Sequence, residues 1–332
     1  MTRAAAGSGG AGRIAVVTGG AGFLGSRVAL ALDQAGWRVR LLVHRSATHP
    51  VLAGTRLELV RGDMRDAAAL SRLVQDAAVV VHAAGLVKAR SRVQFMRVNR
   101  DGTRMLAEAV ARHQPQARFI LVSSLAARAP HLSGYAASKR MGEAAAVAEL
   151  GSGGCLVLRP GVIYGPWDQA GLALLRLASG RFAPLVRPEP RIAMLHVADA
   201  AACVAALAAG GPAAGMFELC DERADGYRWS ELLRRIGSAL GRSPHPVPAP
   251  DLLIRAAGAT SEAWGMLRHR PPLFGTGKAR EILHRDWSSD PALHLPSALW
   301  TPRIPLDDGL AELVAWWRDM SRHASLMKSV SP

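Results

Sequence analysis

The sequence has few cysteines and no long apolar run. Its three cysteines stand far apart, at positions 155, 203 and 220, which excludes a disulfide framework and leaves no pair at metal-ligand spacing. We expect buried free thiols in a reducing compartment. No apolar stretch is long enough to span a bilayer, and residues 1–12 lack the apolar core of a signal peptide. These absences predict a soluble, cytoplasmic protein with a flexible tail at residues 1–12 and no metal site.

Lysine, tyrosine and phenylalanine are also scarce, although the chain is strongly basic. The formal net charge is +15, yet only four of the 41 basic residues are lysines, and the others are arginines spread along the chain. Such an excess is typical of proteins that bind nucleic acid, membrane surfaces or anionic ligands. With three Tyr and six Phe, the chain has no basic run interleaved with aromatic residues, which argues against nucleic acid. We attribute the charge to a general arginine bias and to attraction for an anionic cofactor.

Short β-branched runs alternate with amphipathic helical segments from residue 14 to residue 158. The runs predict strands at 14–17, 37–43, 57–60, 78–82, 118–123 and 155–158. The segments between them predict helices at 23–35, 66–75, 91–113 and 135–150. Because parallel strands need long crossover connections, this alternation predicts an α/β fold with a doubly wound parallel sheet of the Rossmann type.

The sequence changes character after Pro160, where prolines divide it into loops and short elements. No low-complexity linker separates the two parts, so we predict a smaller C-terminal substrate-binding lobe that is interwoven with the Rossmann domain. The predicted Rossmann domain covers residues 13–165 plus 191–215. The predicted lobe covers residues 166–190 plus 216–320, and residues 321–332 form a tail.

A glycine-rich loop follows the first predicted strand and opens the first helix. It reads Thr18-Gly-Gly-Ala-Gly-Phe-Leu-Gly25, with the spacing GxxGxxG. The first glycine of the motif would permit a tight turn, the second would let backbone N–H groups approach a pyrophosphate, and the third would let the helix pack closely on the strand. This context predicts a dinucleotide site. Its loop positions are Gly19, Gly22, Phe23, Leu24 and Gly25.

The end of the second strand usually distinguishes NAD from NADP. A carboxylate there binds the ribose 2′-hydroxyl of NAD, whereas an arginine accommodates the 2′-phosphate of NADP. Here the strand ends Val43-His44-Arg45-Ser46, without a carboxylate. We predict that Arg45 pairs with this phosphate and that NADP is the cofactor, with NAD as the alternative. Arg45 could instead be a solvated loop charge.

A candidate catalytic group lies at the end of the fifth predicted strand and the start of the helix after it. Tyr135 and Lys139 are one helical turn apart on the same face. An ammonium group about 4 Å from the phenol could stabilise the phenolate by up to about 4 kcal/mol, which would bring the tyrosine pKa from about 10 towards neutrality. Ser124 ends the strand, where its hydroxyl could bind a substrate oxygen. We predict acid–base chemistry at this site.

These motifs stand in the order of a known family. From Ile14 to about Trp317, the chain resembles the extended short-chain dehydrogenases/reductases, which include nucleotide-sugar epimerases and dehydratases, ketone reductases and hydroxysteroid dehydrogenases. Further motifs that carry the resemblance are Gly62-Asp63-Met64, Val81-His-Ala-Ala-Gly85, Val98-Asn99 with Gly102-Thr103, Leu158-Arg-Pro160, Tyr164-Gly-Pro166, His196-Val-Ala-Asp199 and Trp300-Thr-Pro302.

The resemblance implies a role for each matching residue. Tyr135 would be the general acid or base, Ser124 would polarise the substrate oxygen, and Lys139 would also hold the nicotinamide ribose. Asp63 would bind the adenine amino group beside the backbone of Met64. The other cofactor-binding residues that it implies are Ala83, Ala84, Gly85, Asn99, Pro160 and Val162. A homodimer formed through the helices at 91–113 and 135–150 would also fit the family.

We expect a purely structural role for three polar residues of these motifs. His82 should pack beneath the sheet rather than act chemically. His196 and Asp199 should cap and orient the helix that follows them.

The favoured function is hydride transfer between NADP(H) and a ketone or secondary alcohol. The segment 125–134 between Ser124 and Tyr135 is short, whereas relatives that act on nucleotide sugars usually carry a longer insertion there. Apolar residues of the C-terminal half could line a pocket for an apolar carbonyl or alcohol substrate, or could belong to a helix core. They are Leu252, Leu253, Ile254, Trp264, Met266 and Leu267.

Two other functions stay open. One is epimerisation of a nucleotide-linked sugar. Dehydration is disfavoured, because Leu125-Ala126 stand where the family's dehydratases carry an Asp-Glu pair. The other is a non-catalytic cofactor-binding subunit or sensor, against which the intact set of Ser124, Tyr135 and Lys139 argues.

Overall fold

A computed structural model of the chain describes residues 12–44, 49–169, 171–268, 271–272 and 274–329, with side chains as far as residue 322. Arg45, for which we predict contact with a 2′-phosphate, lies outside the described residues. Within the described ranges no helix is both long enough and apolar enough to cross a bilayer. Nor does this part of the chain bring three or more His, Cys, Asp or Glu side chains together in a group that could hold a metal ion.

Seven parallel strands form the central sheet. In spatial order they are β11 (Gly215–Leu219), β6 (Cys155–Pro160), β5 (Arg118–Val122), β4 (Ala77–His82), β1 (Ile14–Thr18), β2 (Arg38–Val43) and β3 (Leu57–Arg61). β1 is apolar in four of its five positions and wholly buried, which is typical of a strand covered by helices on both faces. The strand order reverses at β1, so the carboxyl ends of β1 and β4 border the crevice in which such sheets bind ligands.

Helices cover both faces of this sheet. One face carries α1 (Phe23–Gln34) and α7 (Val197–Ala209). The other face carries α2 (Ala67–Val74), α4 (Gly102–His113) and α5 (Gly134–Leu150). Leu32 and Leu207 are fully buried in the first core, and Leu106 and Phe119 are fully buried in the second. These two apolar layers hold the strand ends in fixed positions, and the candidate site lies at those ends.

The C-terminal half adds a second, smaller core. Its helices are α6 (Leu172–Ser179), α8 (Trp229–Leu240), α9 (Asp251–Leu267), α10 (Thr276–Leu283) and α11 (Leu306–Ser329). Its short strands are β7 (Val162–Tyr164), β8 (Phe182–Leu185), β9 (Arg191–Ile192), β10 (Met194–His196), β12 (Tyr227–Arg228), β13 (His245–Pro248) and β14 (Asp286–Trp287). Leu175, Leu233 and Leu310 pack together in this core. The lobe is built from segments that precede and follow α7 in the sequence, as its interwoven arrangement requires.

The predicted fold class is confirmed, and the six predicted strands each lie within two residues of an observed one. The prediction of buried free cysteines is also confirmed. The sequence interpretation omitted β11, which pairs with β6 and extends the sheet to Leu219. The predicted domain boundary at residue 215 therefore falls at the first residue of a strand of the sheet.

Candidate active site

The glycine-rich loop joins β1 to α1 at the carboxyl end of the sheet. Gly19 has a φ of +76°, and a Cβ at this position would lie 2.8 Å from the backbone nitrogen of Ala84. A Cβ at Gly25 would lie 2.1 Å from the carbonyl oxygen of Gly19. Gly22 precedes α1, whose first turn has no side-chain cap and no acidic residue. The loop therefore leaves a helix N-terminus open to an anion, as dinucleotide binding requires.

Ser124, Tyr135 and Lys139 come together from two neighbouring segments. Ser124 follows β5 and begins a 3₁₀ turn at Leu125–Arg128, where its hydroxyl accepts the N–H of Ala126 at 3.2 Å. Tyr135 lies in the first turn of α5, close enough to Ser124 for this side chain to lower the pKa of the phenol. Lys139 lies one turn later, and its Nζ donates to the Val122 carbonyl at 2.6 Å. The short segment between Ser124 and Tyr135 thus brings the two side chains near each other.

A π-helical turn positions Asn99 beside this group. The helix predicted at 91–113 is continuous, but it consists of α3 (Arg92–Phe95), the π turn Met96–Asp101 and α4. Asn99 Oδ1 accepts the N–H of Leu86 at 2.7 Å, and Nδ2 donates to the Leu86 carbonyl at 3.0 Å and to Ser138 Oγ at 2.8 Å. Asn99 therefore ties the loop after β4 to α5. A π turn inside an α-helix often marks a functional position.

Gly85 shows how closely these elements approach one another. A Cβ at this position would lie 3.2 Å from Asn99 Oδ1 and 3.9 Å from Lys139 Nζ. Ala83 and Ala84 precede Gly85 at the end of β4, and the Ala84 N–H bonds to Thr18 Oγ1 at 3.3 Å. The end of β4 is therefore held between the glycine loop and α5.

The remaining predicted cofactor residues lie around the same crevice. Asp63 and Met64 follow β3, and the Asp63 carboxylate accepts from the Arg65 backbone at 2.7 Å and from its guanidinium at 3.0 Å. These bonds lower the pKa of Asp63. Pro160 ends β6, and Val162, which is exposed, begins β7. Asp63 and Met64 thus lie just beyond the carboxyl end of β3, and Pro160 and Val162 lie at or just beyond that of β6. The cofactor contacts of these residues stay predictions.

The pKa values of Tyr135 and Lys139 differ from the sequence-based expectation. Burial of the phenol raises the pKa of Tyr135 to about 12, although the Ser124 side chain lowers it. Burial of the ammonium lowers the pKa of Lys139 to about 8, although the nearby Glu143 carboxylate raises it. The expected fall of the tyrosine pKa towards neutrality is wrong for this structure, because desolvation dominates and the ammonium is bonded to the Val122 carbonyl.

Glu143 continues the Tyr135–Lys139 stripe by one further turn of α5, and the sequence interpretation missed it. Its carboxylate forms a two-point ion pair with Arg159 of β6, at 2.8 Å from Nε and 2.6 Å from Nη2. The Ser123 hydroxyl donates to the same carboxylate. Both charged residues are buried, so the pair fixes α5 against the sheet directly behind the catalytic group. The i, i+4 spacing from Lys139 was the one sequence signal that could have revealed Glu143.

Three other polar residues have structural roles, as expected. His82 is buried between the hydroxyls of Thr18 and Thr103, at 2.7 and 2.9 Å, and burial lowers its pKa to about 3, so the ring is neutral. His196 caps α7 by accepting the Ala198 N–H. Asp199 accepts the backbone N–H groups of residues 303 and 304 at 3.1 and 2.9 Å. The two Asp199 contacts join the sheet domain to the C-terminal lobe.

The C-terminal lobe also contacts the start of the catalytic helix. Ser133 caps α5 by accepting the Ala136 N–H at 2.9 Å, and its hydroxyl donates to the buried Glu281 carboxylate of α10. A Cβ at Gly277 would lie 2.9 Å from the Ser133 Cβ, so α10 packs tightly here. The charge of Glu281 also raises the pKa of Tyr135. Sequence reasoning missed this contact, since nothing in the local pattern of α10 indicates its partner.

The apolar residues suggested as a substrate pocket lie elsewhere. Leu252, Leu253, Trp264, Met266 and Leu267 are 55–75% exposed on α9. Only Ile254 of that set is partly buried. The expectation of a helix core is wrong for the five exposed residues, because α9 turns its glycines rather than its large side chains towards the lobe.

Comparisons with known proteins agree with this geometry. The model of the NAD dependent epimerase/dehydratase family matches residues 15–220. The chain is 45% identical over 307 residues to ceramide reductase of Caulobacter vibrioides, a match that covers 92% of this chain and 94% of that protein.

Two solved structures share the fold at low sequence identity. UDP-glucose 4-epimerase of Thermotoga maritima, solved with UDP-glucose, has a TM-score of 0.69 at 18% identity and covers 93% of this chain and 99% of its own. dTDP-glucose 4,6-dehydratase of Streptomyces venezuelae, solved with NAD, has a TM-score of 0.69 at 22% identity and covers 92% of this chain and 97% of its own. With the family match and the 45% identical relative, they confirm the resemblance drawn from the motifs. The chain therefore belongs to the NAD dependent epimerase/dehydratase family, within the extended short-chain dehydrogenases/reductases.

Proposed function

We propose that the chain is an NADP(H)-dependent reductase that converts the ketone of a ceramide-type lipid to a secondary alcohol. The observation that carries this proposal is the convergence of Ser124, Tyr135 and Lys139 at the carboxyl end of β5, where the Lys139 ammonium donates to the Val122 carbonyl and Ser124 acts on the phenol. A phenol whose pKa is about 12 is protonated at neutral pH, and a ketone reduction requires that protonated form.

The proposed reaction adds a hydride to the carbonyl carbon and a proton to the carbonyl oxygen. A bound reduced nicotinamide cofactor would supply the hydride. Ser124 would donate a hydrogen bond to the carbonyl oxygen, and Tyr135 would transfer its hydroxyl proton there as the C=O bond becomes C–O. The Lys139 ammonium would stabilise the phenolate that remains.

The residues around the crevice fit such a cofactor. The uncapped start of α1 and the tight turn at Gly19 would receive a pyrophosphate. The end of β2, at Val43 and His44, carries no carboxylate to bind a ribose 2′-hydroxyl, which supports NADP over NAD. The related dehydratase solved with NAD makes NAD the alternative to test.

The substrate class rests on similarity and on the catalytic segment together. The relative that is 45% identical over 92% of this chain is named ceramide reductase. The short segment 125–134 forms one 3₁₀ turn and a helix cap, with no room for the insertion that frames a nucleotide sugar in relatives. Leu125 and Ala126 stand directly after Ser124, so the segment also lacks an acidic pair for dehydration.

The direct test measures oxidation of NADPH and of NADH in parallel, with a keto-ceramide in detergent, a short water-soluble keto-amide and UDP-glucose as substrates. We expect NADPH oxidation with the ketones, and a fall of about 10² to 10⁴ in kcat for Tyr135→Phe. Unchanged NADPH binding by this variant would show that the cofactor site is intact. Epimerisation of the sugar nucleotide without ketone reduction would refute the reductase proposal. A preference for NADH would refute only the choice of cofactor.

A further inference from the structure

Helix α9 exposes an unusual amount of apolar surface. Its seventeen residues, Asp251–Leu267, include only two buried ones, Gly258 and Gly265. The buried side packs on α10, where a Cβ at Gly258 would lie 3.0 Å from the Ala279 Cβ. Apart from Ile254, which is partly buried, the large apolar side chains point away from this contact. This reverses the usual arrangement of a helix on the surface of a globular protein.

Helical geometry places these side chains on one continuous face. At about 100° per residue, the half of α9 opposite α10 carries Leu252, Leu253, Trp264, Met266 and Leu267, with four alanines between them. The one polar residue there is Thr260, whose hydroxyl donates to the Ala256 carbonyl at 3.0 Å within the helix. We call this half the outer face of α9.

Arginines border the outer face on both sides. By the same geometry Arg255 lies at one edge and Arg268 at the other, and both are exposed. The Arg268 guanidinium stacks over the Trp264 ring at 4.3 Å. The acidic residues of the helix, Asp251 and Glu262, lie on the side towards α10, where the Glu262 carboxylate binds the Thr276 N–H at 2.9 Å.

The strand that leads into α9, and its partner strand, also carry exposed apolar residues. Val247 of β13 and Phe182 of its partner strand β8 are both exposed. The Arg181 guanidinium stacks over the Phe182 ring at 5.5 Å. Val247 precedes the start of the helix by four residues, and Phe182 pairs with His245 on the neighbouring strand.

We propose that the outer face of α9 docks the protein on the surface of an anionic phospholipid bilayer. An apolar helix face bordered by arginines is the arrangement with which interfacial helices lie in the headgroup region, since the apolar side chains enter the acyl boundary and the cations meet the phosphates. The net charge of +15 adds long-range attraction to such a surface. A second copy of this chain would instead oppose like charges across the same face.

Two packing contacts connect α9, which carries the outer face, to α5. α9 packs on α10, and α10 packs on Ser133, which caps α5 directly before Tyr135. Docking would therefore hold the candidate active site close to the bilayer. The docking proposal stands on the surface of α9 and does not depend on the reaction proposed above.

The test is sedimentation of the full chain with vesicles of phosphatidylcholine alone, or with about one third phosphatidylglycerol. We expect binding to the anionic vesicles that weakens with salt. The change Leu253→Glu with Trp264→Glu should lower the bound fraction at least tenfold. The change Arg255→Gln with Arg268→Gln should weaken binding to anionic vesicles on the order of fivefold for each arginine.

The matched control is Leu59→Glu, which places a carboxylate on an equally exposed apolar residue of β3 (50% against 55% for Trp264) and should leave binding unchanged. Equal melting temperatures and equal oxidation of NADPH with a short water-soluble ketone would show that the variants are folded. Leu252→Ser with Leu267→Ser provides a milder change of the same face. Absence of binding by the natural chain, equal binding by all variants, or a stable dimer that the α9 variants dissociate without any vesicle binding would each overturn the proposal. Vesicle binding needs no turnover, so failure of the reductase assay would leave this test intact.

Discussion

Substitution of Glu143 by glutamine is expected to destabilise the protein strongly while changing its shape very little. The Glu143 carboxylate is 6% exposed and holds the guanidinium of Arg159, which is 4% exposed, by two hydrogen bonds of 2.8 and 2.6 Å. Glu143→Gln would leave the Arg159 cation buried without its counter-charge. Loss of one partner of a buried ion pair costs about 3–5 kcal/mol.

The assay is chemical denaturation together with a thermal melt of the purified variant. Arg140 provides a control on the same carboxylate, because its guanidinium lies 3.5 Å from Glu143 but is 56% exposed. Arg140→Gln should cost less than about 1 kcal/mol. The double variant Glu143→Gln with Arg159→Met should recover part of the loss, since it removes both buried charges. A loss below about 1 kcal/mol for Glu143→Gln, or no recovery in the double variant, would refute the reasoning.

The same substitution should also alter the pH dependence of the reaction. The Glu143 carboxylate raises the pKa of Lys139 against the desolvation that lowers it to about 8. Its removal should therefore move the Lys139 pKa below 8, and the alkaline limb of the activity profile should shift in the same direction. Arg140→Gln should leave that limb in place. An unchanged alkaline limb in folded Glu143→Gln protein would contradict this electrostatic role of Glu143.

Two further outcomes are expected. Because the Lys139 ammonium is present below about pH 8 and lost above it, kcat/KM for ketone reduction should fall as the pH rises through this value, and a flat profile to pH 10 would contradict a role for the ammonium. Gly25→Ala should weaken NADPH binding at least tenfold in a fluorescence titration, because its Cβ would lie 2.1 Å from the Gly19 carbonyl oxygen. Gly153→Ala, which meets no atom within 4 Å, is the control, and equal binding by both variants would contradict the close packing of the loop.

The sequence predicted the sheet and the crevice well because both depend on local patterns. Apolar strands that alternate with amphipathic helices admit few arrangements, and the glycine loop marks the point where the first strand meets its helix. The π turn at Met96–Asp101 has no such signal, because the spacing of apolar residues along 91–113 fits an ordinary helix. The ion pair of Glu143 with Arg159 joins two elements whose relative positions arise only when the sheet has formed.

The pKa values of the catalytic pair were mispredicted for a related physical reason. The spacing of Tyr135 and Lys139 on a helix indicates that they are neighbours, and an adjacent ammonium then favours the phenolate by Coulomb attraction. The spacing does not indicate how strongly the two groups are desolvated. Here desolvation raises the pKa of Tyr135 to about 12 and lowers that of Lys139 to about 8. The sign of the result depends on tertiary packing.

Helix α9 shows the corresponding limit for apolar residues. Its sequence has the composition of a core helix, and periodicity alone cannot say which side faces inward. The small side of the helix, with Gly258 and Gly265, faces inward because α10 approaches too closely for larger side chains. Leu253 and Trp264 are left in solvent, although burial of each in a core would contribute about 1.5–3 kcal/mol. On a bilayer these side chains would be buried in the acyl region and would gain this free energy of burial. The arginines at both edges of the outer face would then meet the phosphate groups of the lipids.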